Sequence, residues 1–425
     1  MALENDDLNL RRTQREKLRQ ERLAKQRKLK MGLLAGAVAL VLCAVLIFVL
    51  TRQSAGDPGR DTPETTDTLQ ADAAPETTAQ DRTTVIHLAA AGDLCVTDDT
   101  VASGGSTYDY TRTFMDVLPL LADADLTVMN FEGNLCGAPY GSSRASAPQS
   151  MAEALAAAGV DLVQMANSCS ISNGLKGLQT TLNNLRAAGM EPLGAWATGA
   201  EFESSGGYTI REVQGVRIAF VAFTKGMDSL GLPPGSEDCV NLLYEDYTSN
   251  YQDIDYDGIR GVLRAAAAEA PDLTVAMVHW GSEFNELISD TQEDILELLY
   301  AEGADVVLGT HPHLLQQMKL DTENNTFVAW SLGDFFSDGQ RGGSDYSVVV
   351  DLEITKDHVT GTTTITGFSY TPIFNLVTED GMRLVRMEEA IAAYEMGNIE
   401  RISQEEYEDM VYAMKRIPQR ISPEE

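Results

Sequence analysis

The hydrophobic pattern of residues 84–395 alternates short apolar runs with amphipathic segments. Strands are predicted at TVIHLAAAGD, LTVMNFEG, LVQMAN, VRIAFVAFT, LTVAMVHWG and DVVLGTH. These runs are apolar almost throughout, which is typical of strands covered on both faces of a sheet. Between them, MAEALAAAG, LKGLQTTLNNLRAAG and TQEDILELLYAEG have helical spacing, and YTRTFMDVLPLLADA is predicted to be mostly helical. The pattern therefore predicts an α/β domain.

The C-terminal part of the chain has a different pattern. Residues 326–370 are predicted to form antiparallel hairpins, with KDHVTG as one turn. The segment 396–425 contains SQEEYEDMVYAMKRI, which predicts a peripheral helix.

The N-terminal 83 residues divide into three segments of contrasting composition. Residues 1–30 end in a cluster of Lys and Arg, and residues 31–50 are uncharged and apolar. A run of this length spans a bilayer as a helix, and the basic flank places its N-terminal side in the cytoplasm. Residues 51–83 are rich in Thr, Asp, Ala and Pro and are predicted to be a disordered linker. We expect a single-pass protein of the cell membrane, with its main domain outside.

The charge of the chain limits its partners. It contains 31 Lys and Arg against 64 Asp and Glu, a formal net charge of −33. Such a chain would repel a phosphate backbone, so nucleic acid is excluded as a partner.

Polar side chains follow the predicted strands at the ends where ligands bind in α/β sheets. Carboxylates, an amide and imidazoles of this kind suit divalent metal ions, and the set is large enough for two. The candidate ligands are Asp93, Glu132, Asn167, His279, His311 and His313. Taken singly, each has a structural explanation as a turn, cap or buried polar residue, so the prediction depends on the conjunction. Pro312 favours an extended residue before it, and extended backbone would place His311 and His313 on one side.

Several motifs together resemble the CapA-type proteins of capsule and poly-gamma-glutamate synthesis. They are AAAGDL, NFEGNL, MANSCSISNGLKGLQTTLNNLRAAGMEPLGA, VHWGSEF, GADVVLGTHPHLLQ and WSLGDFFSDG, in this order. The resemblance implies a calcineurin-like metallophosphatase sandwich of two sheets flanked by helices. The transmembrane helix predicted above from residues 31–50 would precede it. The resemblance also implies that the six candidate ligands match metal-binding positions for Mn, Zn, Fe or Mg. Residues in or beside these motifs are predicted to line the pocket: Asn134, Ser168, Trp280, Glu283 and Asp334.

The chain departs from the family pattern at three positions within these motifs. Cys169 stands where the family has a histidine that protonates the leaving group in phosphatase relatives. Ser172 replaces a usual Asp, and Asp334 replaces an Asn. General acid–base help contributes roughly 10²- to 10⁴-fold, so its loss would weaken turnover without abolishing metal binding. Cys169 is therefore a doubtful catalytic residue.

Cysteines cluster beside the predicted ligands. Cys95 and Cys169 each lie two residues from one of them, and Cys136 lies four residues after Glu132. In an exported domain, a disulfide between Cys95 and Cys169 is one hypothesis, and inert thiols are the alternative.

Three functions remain open from the sequence. The first is an accessory protein that assists synthesis or export of a polyanionic exopolymer, by binding the polymer or its synthesis complex. The second is an active metal-dependent phosphoesterase. The third is an adhesion or scaffold module without metal.

Overall fold

A computed structural model describes residues 82–339, 341–378, 381–398 and 402–423. The predicted basic tail, membrane span and nearly all of the linker lie outside these residues. Within them, no helix is both long enough and apolar enough to cross a bilayer.

The described chain contains fourteen strands and ten α-helices. The strands are β1 (Thr83–Cys95), β2 (Leu126–Glu132), β3 (Leu162–Gln164), β4 (Glu191–Leu193), β5 (Thr209–Val213), β6 (Val216–Thr224), β7 (Leu273–His279), β8 (Val306–Thr310), β9 (Met318–Asp321), β10 (Thr326–Ala329), β11 (Asp334–Phe336), β12 (Tyr346–Asp357), β13 (Thr362–Thr378) and β14 (Gly381–Arg386). The helices are α1 (Asp98–Ala102), α2 (Thr111–Phe114), α3 (Leu118–Ala122), α4 (Gln149–Ala158), α5 (Gly174–Ala187), α6 (Gly199–Ser205), α7 (Tyr256–Ala268), α8 (Asp290–Ala301), α9 (Met387–Glu395) and α10 (Gln404–Ile421).

These strands form two sheets. The first has the order β14-β13-β12-β1-β2-β3-β4, with the short strand β11 also paired to β1. Strands β1 to β4 are parallel, whereas β12, β13 and β14 add antiparallel neighbours on the other side of β1. The second sheet has the order β5-β6-β7-β8-β10-β9, and its central strands β6, β7, β8 and β10 are parallel. The predicted α/β architecture is confirmed as a two-sheet fold.

The two sheets pack against each other through β1 and β8 and through β4 and β6. Alternation along β6 shows how one strand serves two cores. Phe220 belongs to the large core between the sheets, while its neighbour Val221 packs in a second core on the outer face. Successive strand residues point to opposite faces, so a strand buried on both sides must be apolar throughout.

Helix α5 illustrates how the flanking helices attach. Its residues Leu178, Leu182 and Leu185 recur at helical spacing and are completely buried. Burial of each such side chain contributes roughly 1.5–3 kcal/mol. The helix is followed by Gly189 at φ +97°, a left-handed conformation that glycine adopts without steric penalty.

Three element predictions need correction. The segment predicted as mostly helical, 110–124, forms the two short helices α2 and α3, separated at 115–117. The region 326–370 contains the predicted hairpin of β12 and β13, but β10 pairs in parallel with β8 and so extends the second sheet. The C-terminal helix α10 is longer than predicted. It is not merely peripheral, because it buries Met410, Ala413, Ile417 and Ile421 in the large core.

Candidate metal centre

All six predicted ligands converge where the parallel strands of both sheets end. Asp93 and Glu132 lie at the ends of β1 and β2, and Asn167 follows β3. His279 ends β7, and His311 and His313 follow β8. All six residues are buried, with exposed fractions from 0 to 8%. Their convergence is a property of the fold; their role as ligands stays a prediction.

One group of ligand atoms comes from Asp93, His313 and Asp334, within 4.8 Å of one another. His313 Nδ1 lies 2.8 Å from Asp334 Oδ1 and 3.6 Å from Asp93 Oδ2. Asp93 and Asp334 are partners in the β1–β11 ladder, so the backbone holds both carboxylates beside the imidazole. Asp334, predicted only to line the pocket, thus belongs to the centre itself.

Burial and neighbouring charges shift the pKa values of His313 and Asp93 in this group. Burial lowers the pKa of His313, but Asp334, Glu132 and Asp93 outweigh that effect and hold it well above its ordinary value. Burial raises the pKa of Asp93 to about 6, although the charge of His313 opposes the rise. A proton on His313 is therefore the positive charge that these carboxylates share in the metal-free protein.

A second group consists of Glu132, His279 and His311, also with ligand atoms within 4.8 Å. Burial raises the pKa of Glu132 well above its ordinary value, with Asp93 adding to the effect. Burial likewise lowers the pKa of both His279 and His311 well below the ordinary range, so these imidazoles are neutral. Neutral imidazole is the form that binds metals.

A chain of hydrogen bonds fixes the tautomer of His279. Gln164 Nε2 donates to the carbonyls of Ala166 (3.0 Å) and Phe223 (3.4 Å), so its Oε1 accepts from the Thr310 hydroxyl at 3.2 Å. The hydroxyl proton is thereby used, and Thr310 Oγ1 accepts from His279 Nδ1 at 3.1 Å. This leaves an unprotonated lone pair on His279 Nε2.

The residues present fit a divalent metal. Among the described residues, His279 Nε2 and His311 Nδ1 are buried and have no hydrogen-bond partner. An imidazole nitrogen in that position loses its hydration without compensation unless it binds a cation. Together with the carboxylates of Asp93, Glu132 and Asp334, these nitrogens form a donor set suited to Zn, Mn or Fe.

The backbone around the two final histidines differs from the expected extended form. His311 has φ +90° and His313 has φ +58°, so both are left-handed. The expectation that Pro312 keeps His311 extended was wrong. The ring centroids are nevertheless 6.0 Å apart, and the backbone N–H of His311 donates to Asp93 Oδ2 at 3.1 Å. That hydrogen bond across the two sheets helps hold the turn in its unusual conformation.

Two asparagines support the carboxylates. Asn130 Nδ2 donates to Asp93 Oδ1 at 2.7 Å and to Glu132 Oε1 at 3.2 Å, so one amide orients an oxygen in each ligand group. Asn167 Nδ2 donates to Asn130 Oδ1 at 3.0 Å, and Asn167 Oδ1 accepts from the N–H of Cys169 at 3.0 Å. One lone pair of Asn167 Oδ1 remains for a ligand.

The centre lies at the floor of a cavity of about 370 Å³. Of the predicted pocket residues, Ser168, Glu283 and Asp334 line it, and Cys169 does so as well. Burial, helped by Glu132, raises the pKa of Cys169 to about 12. A thiol this weakly acidic is a poor proton donor near neutral pH.

Asn134 and Trp280 do not line the cavity, contrary to prediction. Asn134 is completely buried, and its Nδ2 donates to the Cys169 carbonyl at 3.2 Å, which holds the loop after β3. Trp280 points to the opposite side of its strand from His279, where it packs in the outer core and stacks on Trp330. Its Nε1 donates to the Trp330 carbonyl at 2.9 Å.

The proposed disulfide is also absent from the described residues. Cys95, Cys136, Cys169 and Cys239 are all free thiols. Cys95 Sγ faces His313 Nδ1 at 3.8 Å, whereas Cys169 Sγ lies 3.8 Å from Ser168 Oγ.

A smaller cavity of about 240 Å³ adjoins the first and contains a lysine. Lys225 Nζ donates to the Gly281 carbonyl at 2.7 Å and lies 4.7 Å from the ring centre of Tyr251. His311 and Glu283 also line this cavity, so Lys225 stands next to the second ligand group. Sequence reasoning missed Lys225, and it missed Asn130 and Gln164 as well.

Fold and site together define a two-sheet α/β protein with a metal-type centre at the carboxyl ends of its parallel strands. A model of the family described as bacterial capsule synthesis protein PGA_cap matches residues 87–339, and the chain belongs to this family. The predicted family is thereby confirmed. The chain is 28% identical over 209 residues to the capsule biosynthesis protein CapA of Bacillus anthracis, covering 48% of this chain and 47% of that protein. It is 24% identical over 200 residues to the PGA biosynthesis protein CapA of Bacillus subtilis, covering 46% and 47%. The match spans about half the length of these relatives.

Solved structures with a related architecture include phosphatases. One is a phosphatase from Mycoplasma pneumoniae, with 14% identity and a TM-score of 0.42, covering 68% of this chain and 94% of that one. Another is a calcineurin-like phosphoesterase from Bacillus subtilis, with 14% identity and a TM-score of 0.42, covering 79% and 96%.

Proposed function

We propose that this chain is a membrane-anchored, outward-facing accessory protein of capsule or poly-gamma-glutamate synthesis or export. Its buried centre binds two divalent cations, and the cavity above it holds an anionic group of the polymer. Membership of the capsule synthesis family supports the pathway. The uncharged stretch at 31–50, with its basic flank, supports the anchor and the orientation.

The observation that carries the metal proposal is the pair of orphaned imidazole nitrogens, His279 Nε2 and His311 Nδ1. Glu132, His279 and His311 would hold one cation, and Asp93, His313 and Asp334 the other. When bound, divalent cations would supply Lewis acidity and positive charge facing the cavity.

The strong negative charge of the chain raises an objection to a polyanionic partner. Arg144 lines the larger cavity and Lys225 the smaller, and the carboxylates of Asp228, Glu283 and Asp338 line them as well. Bound cations would add further positive charge at the floor. An anionic group would therefore depend on the bound cations, assisted by Arg144 and Lys225, for a favourable local charge.

Elemental analysis of the full-length chain, purified in detergent, tests the metal proposal. We expect about two equivalents of divalent metal, with loss from the first group in His313→Ala and from the second in His279→Ala. Binding of poly-gamma-glutamate should disappear after chelation. A metal-free wild-type chain that still binds polymer would instead favour the scaffold function.

A phosphoesterase is the second candidate, favoured by the mixed nitrogen and oxygen ligand set. Its weakness is Cys169, whose raised pKa suits it poorly to protonate a leaving group. We expect little hydrolysis of a generic phosphodiester by the wild-type chain with manganese. Cys169→His should increase the rate by roughly 10²-fold or more if only the acid is missing. Rapid wild-type turnover, abolished in His313→Ala, would promote this second function over the first.

A further inference from the structure

Cys95 is placed among the ligand groups by the register of the sheet. In the parallel ladder of β1 and β2, Asp93 is the partner of Asn130, and Cys95 is the partner of Glu132. Residues two apart on a strand point to the same face, so Asp93 and Cys95 both face the centre. The thiol therefore stands beside Glu132 for the same reason that Asp93 stands beside Asn130.

The distances around the sulfur match a coordination site. Cys95 Sγ, a carboxylate oxygen of Glu132 and a nitrogen of His313 lie within 4.8 Å of one another. The separation of Cys95 Sγ from His313 Nδ1 is 3.8 Å. Zinc bonds of about 2.3 Å to sulfur and about 2.0 Å to nitrogen, at the tetrahedral angle, put these two atoms about 3.5 Å apart. A cation fits between them with little rearrangement.

The neighbouring groups supply an independent sign that a ligand belongs here. Glu132 is shared between this trio and the group that contains His279 and His311. Both of those histidines are more than nine-tenths buried, and each has a ring nitrogen without a partner among the described residues. The cysteine is thus part of a continuous ligand cluster and not an isolated thiol.

We propose that Cys95 is a thiolate ligand of the cation held by His313, and that it makes this position selective for zinc over manganese and magnesium. The inference rests on the proposed metal-binding function. Thiolate is a soft ligand that favours zinc, whereas carboxylate and water suit magnesium and manganese. On binding, the S–H bond breaks, a sulfur–metal bond forms, and the proton passes to solvent.

Cobalt(II) substitution of the full-length protein tests this assignment directly. Cobalt bound by any nitrogen and oxygen ligands gives visible d–d bands, while a thiolate ligand adds a sulfur-to-cobalt charge-transfer band in the near ultraviolet. We expect both signals in the wild-type chain. Cys95→Ser should lose the charge-transfer band and keep the d–d bands, which also shows that the centre is still folded.

Cys169→Ser is the matched control, because Cys169 lines the same cavity but belongs to none of the ligand groups. It should keep the charge-transfer band. A band that disappears in Cys169→Ser and persists in Cys95→Ser would overturn the assignment. So would d–d bands without charge transfer in the wild type, an outcome that leaves the proposed metal binding intact. Absence of all cobalt bands would refute both proposals together.

Metal competition gives a second readout. Cys95→Ser should weaken zinc binding by at least about tenfold, since even residues that only orient a ligand are worth that much. Manganese binding should change much less, because serine keeps an oxygen near the site. Equal loss for both metals would mean that Cys95 has only a structural role and would contradict the proposed selectivity.

Discussion

Gly92→Ala should disrupt the close backbone contact between Gly92 and Gly333, which holds Asp93 and Asp334 of the first ligand group side by side. A Cβ atom on residue 92 would lie 1.8 Å from the carbonyl oxygen of Gly333, and contacts under 3.0 Å are essentially never seen. The obstructing atom belongs to the backbone, so it has no side chain to swing away. Strand β1 and the segment before β11 would have to separate by about 1.2 Å.

The expected loss of stability follows from the contacts between β1 and Gly333. Overpacking a close contact of this kind typically costs about 1–3 kcal/mol. The separation also strains the hydrogen bond from Asp93 N–H to the Gly333 carbonyl, now 2.9 Å long, which contributes a further 0.5–1.5 kcal/mol or so. We expect the free energy of unfolding to fall by about 2–4 kcal/mol. Because Asp93 and Asp334 would move apart, metal content should fall as well.

Urea unfolding followed by tryptophan fluorescence measures the first effect. The chain has three tryptophans, and Trp196, Trp280 and Trp330 are all buried in the folded region. Gly261→Ala is the control, since a Cβ there meets nothing within 4 Å and the residue lies within α7. Alanine in a helix should raise stability by up to about 1 kcal/mol. An unchanged midpoint and unchanged metal content in Gly92→Ala would refute the reasoning.

Four further outcomes are expected. Thr310→Val removes the acceptor for His279 Nδ1 and should weaken metal binding about 10- to 100-fold by titration; unchanged affinity would discount the hydrogen-bond chain through Gln164. Removing the metal with a chelator, from a protein kept at a free metal concentration of 100 times Kd, should lower the free energy of unfolding by about 2.7 kcal/mol for each occupied site in thermal melts, with no shift expected if the centre binds no metal. Lys225→Met should weaken polymer binding in calorimetry, most at low salt, while metal content stays constant. His87 Nδ1–H donates a hydrogen bond to the Asp351 carboxylate, which raises the pKa of His87 above 6.5, so the stabilising contribution of this pair is complete below about pH 6.5 and is lost as the pH rises through the raised pKa. Because the pair is about 40% exposed, that contribution is below about 1 kcal/mol, and Asp351→Asn should flatten this part of the stability profile.

The positions of the ligands were predictable because parallel strands impose them. Asp93, Glu132 and His279 each end an apolar run, and such ends lie at one edge of a sheet. The same alternation could have corrected the pocket prediction. Trp280 follows His279 directly and must point to the other face, while Asn130 precedes Glu132 by two residues and must share its face.

Other features depend on contacts that no local pattern contains. The role of Asp334 follows from β11 pairing with β1, which joins residues 241 positions apart in the chain. The hydrogen bond from Thr310 to Gln164 crosses between the two sheets. The left-handed turn at His311 overrides the local preference of a residue before proline, since tertiary contacts to Asp93 hold it.

That turn has an evolutionary consequence. Residues other than glycine in a left-handed backbone conformation carry strain of roughly 1–3 kcal/mol, which the surrounding structure must offset. A descendant that no longer used the imidazoles of His311 and His313 would therefore gain stability by exchanging them for glycine. Substitutions at these two positions should therefore favour glycine once the imidazoles have no function. Histidine retained at both would mark lineages in which the imidazoles are still used, and glycine would mark lineages that have kept only the scaffold.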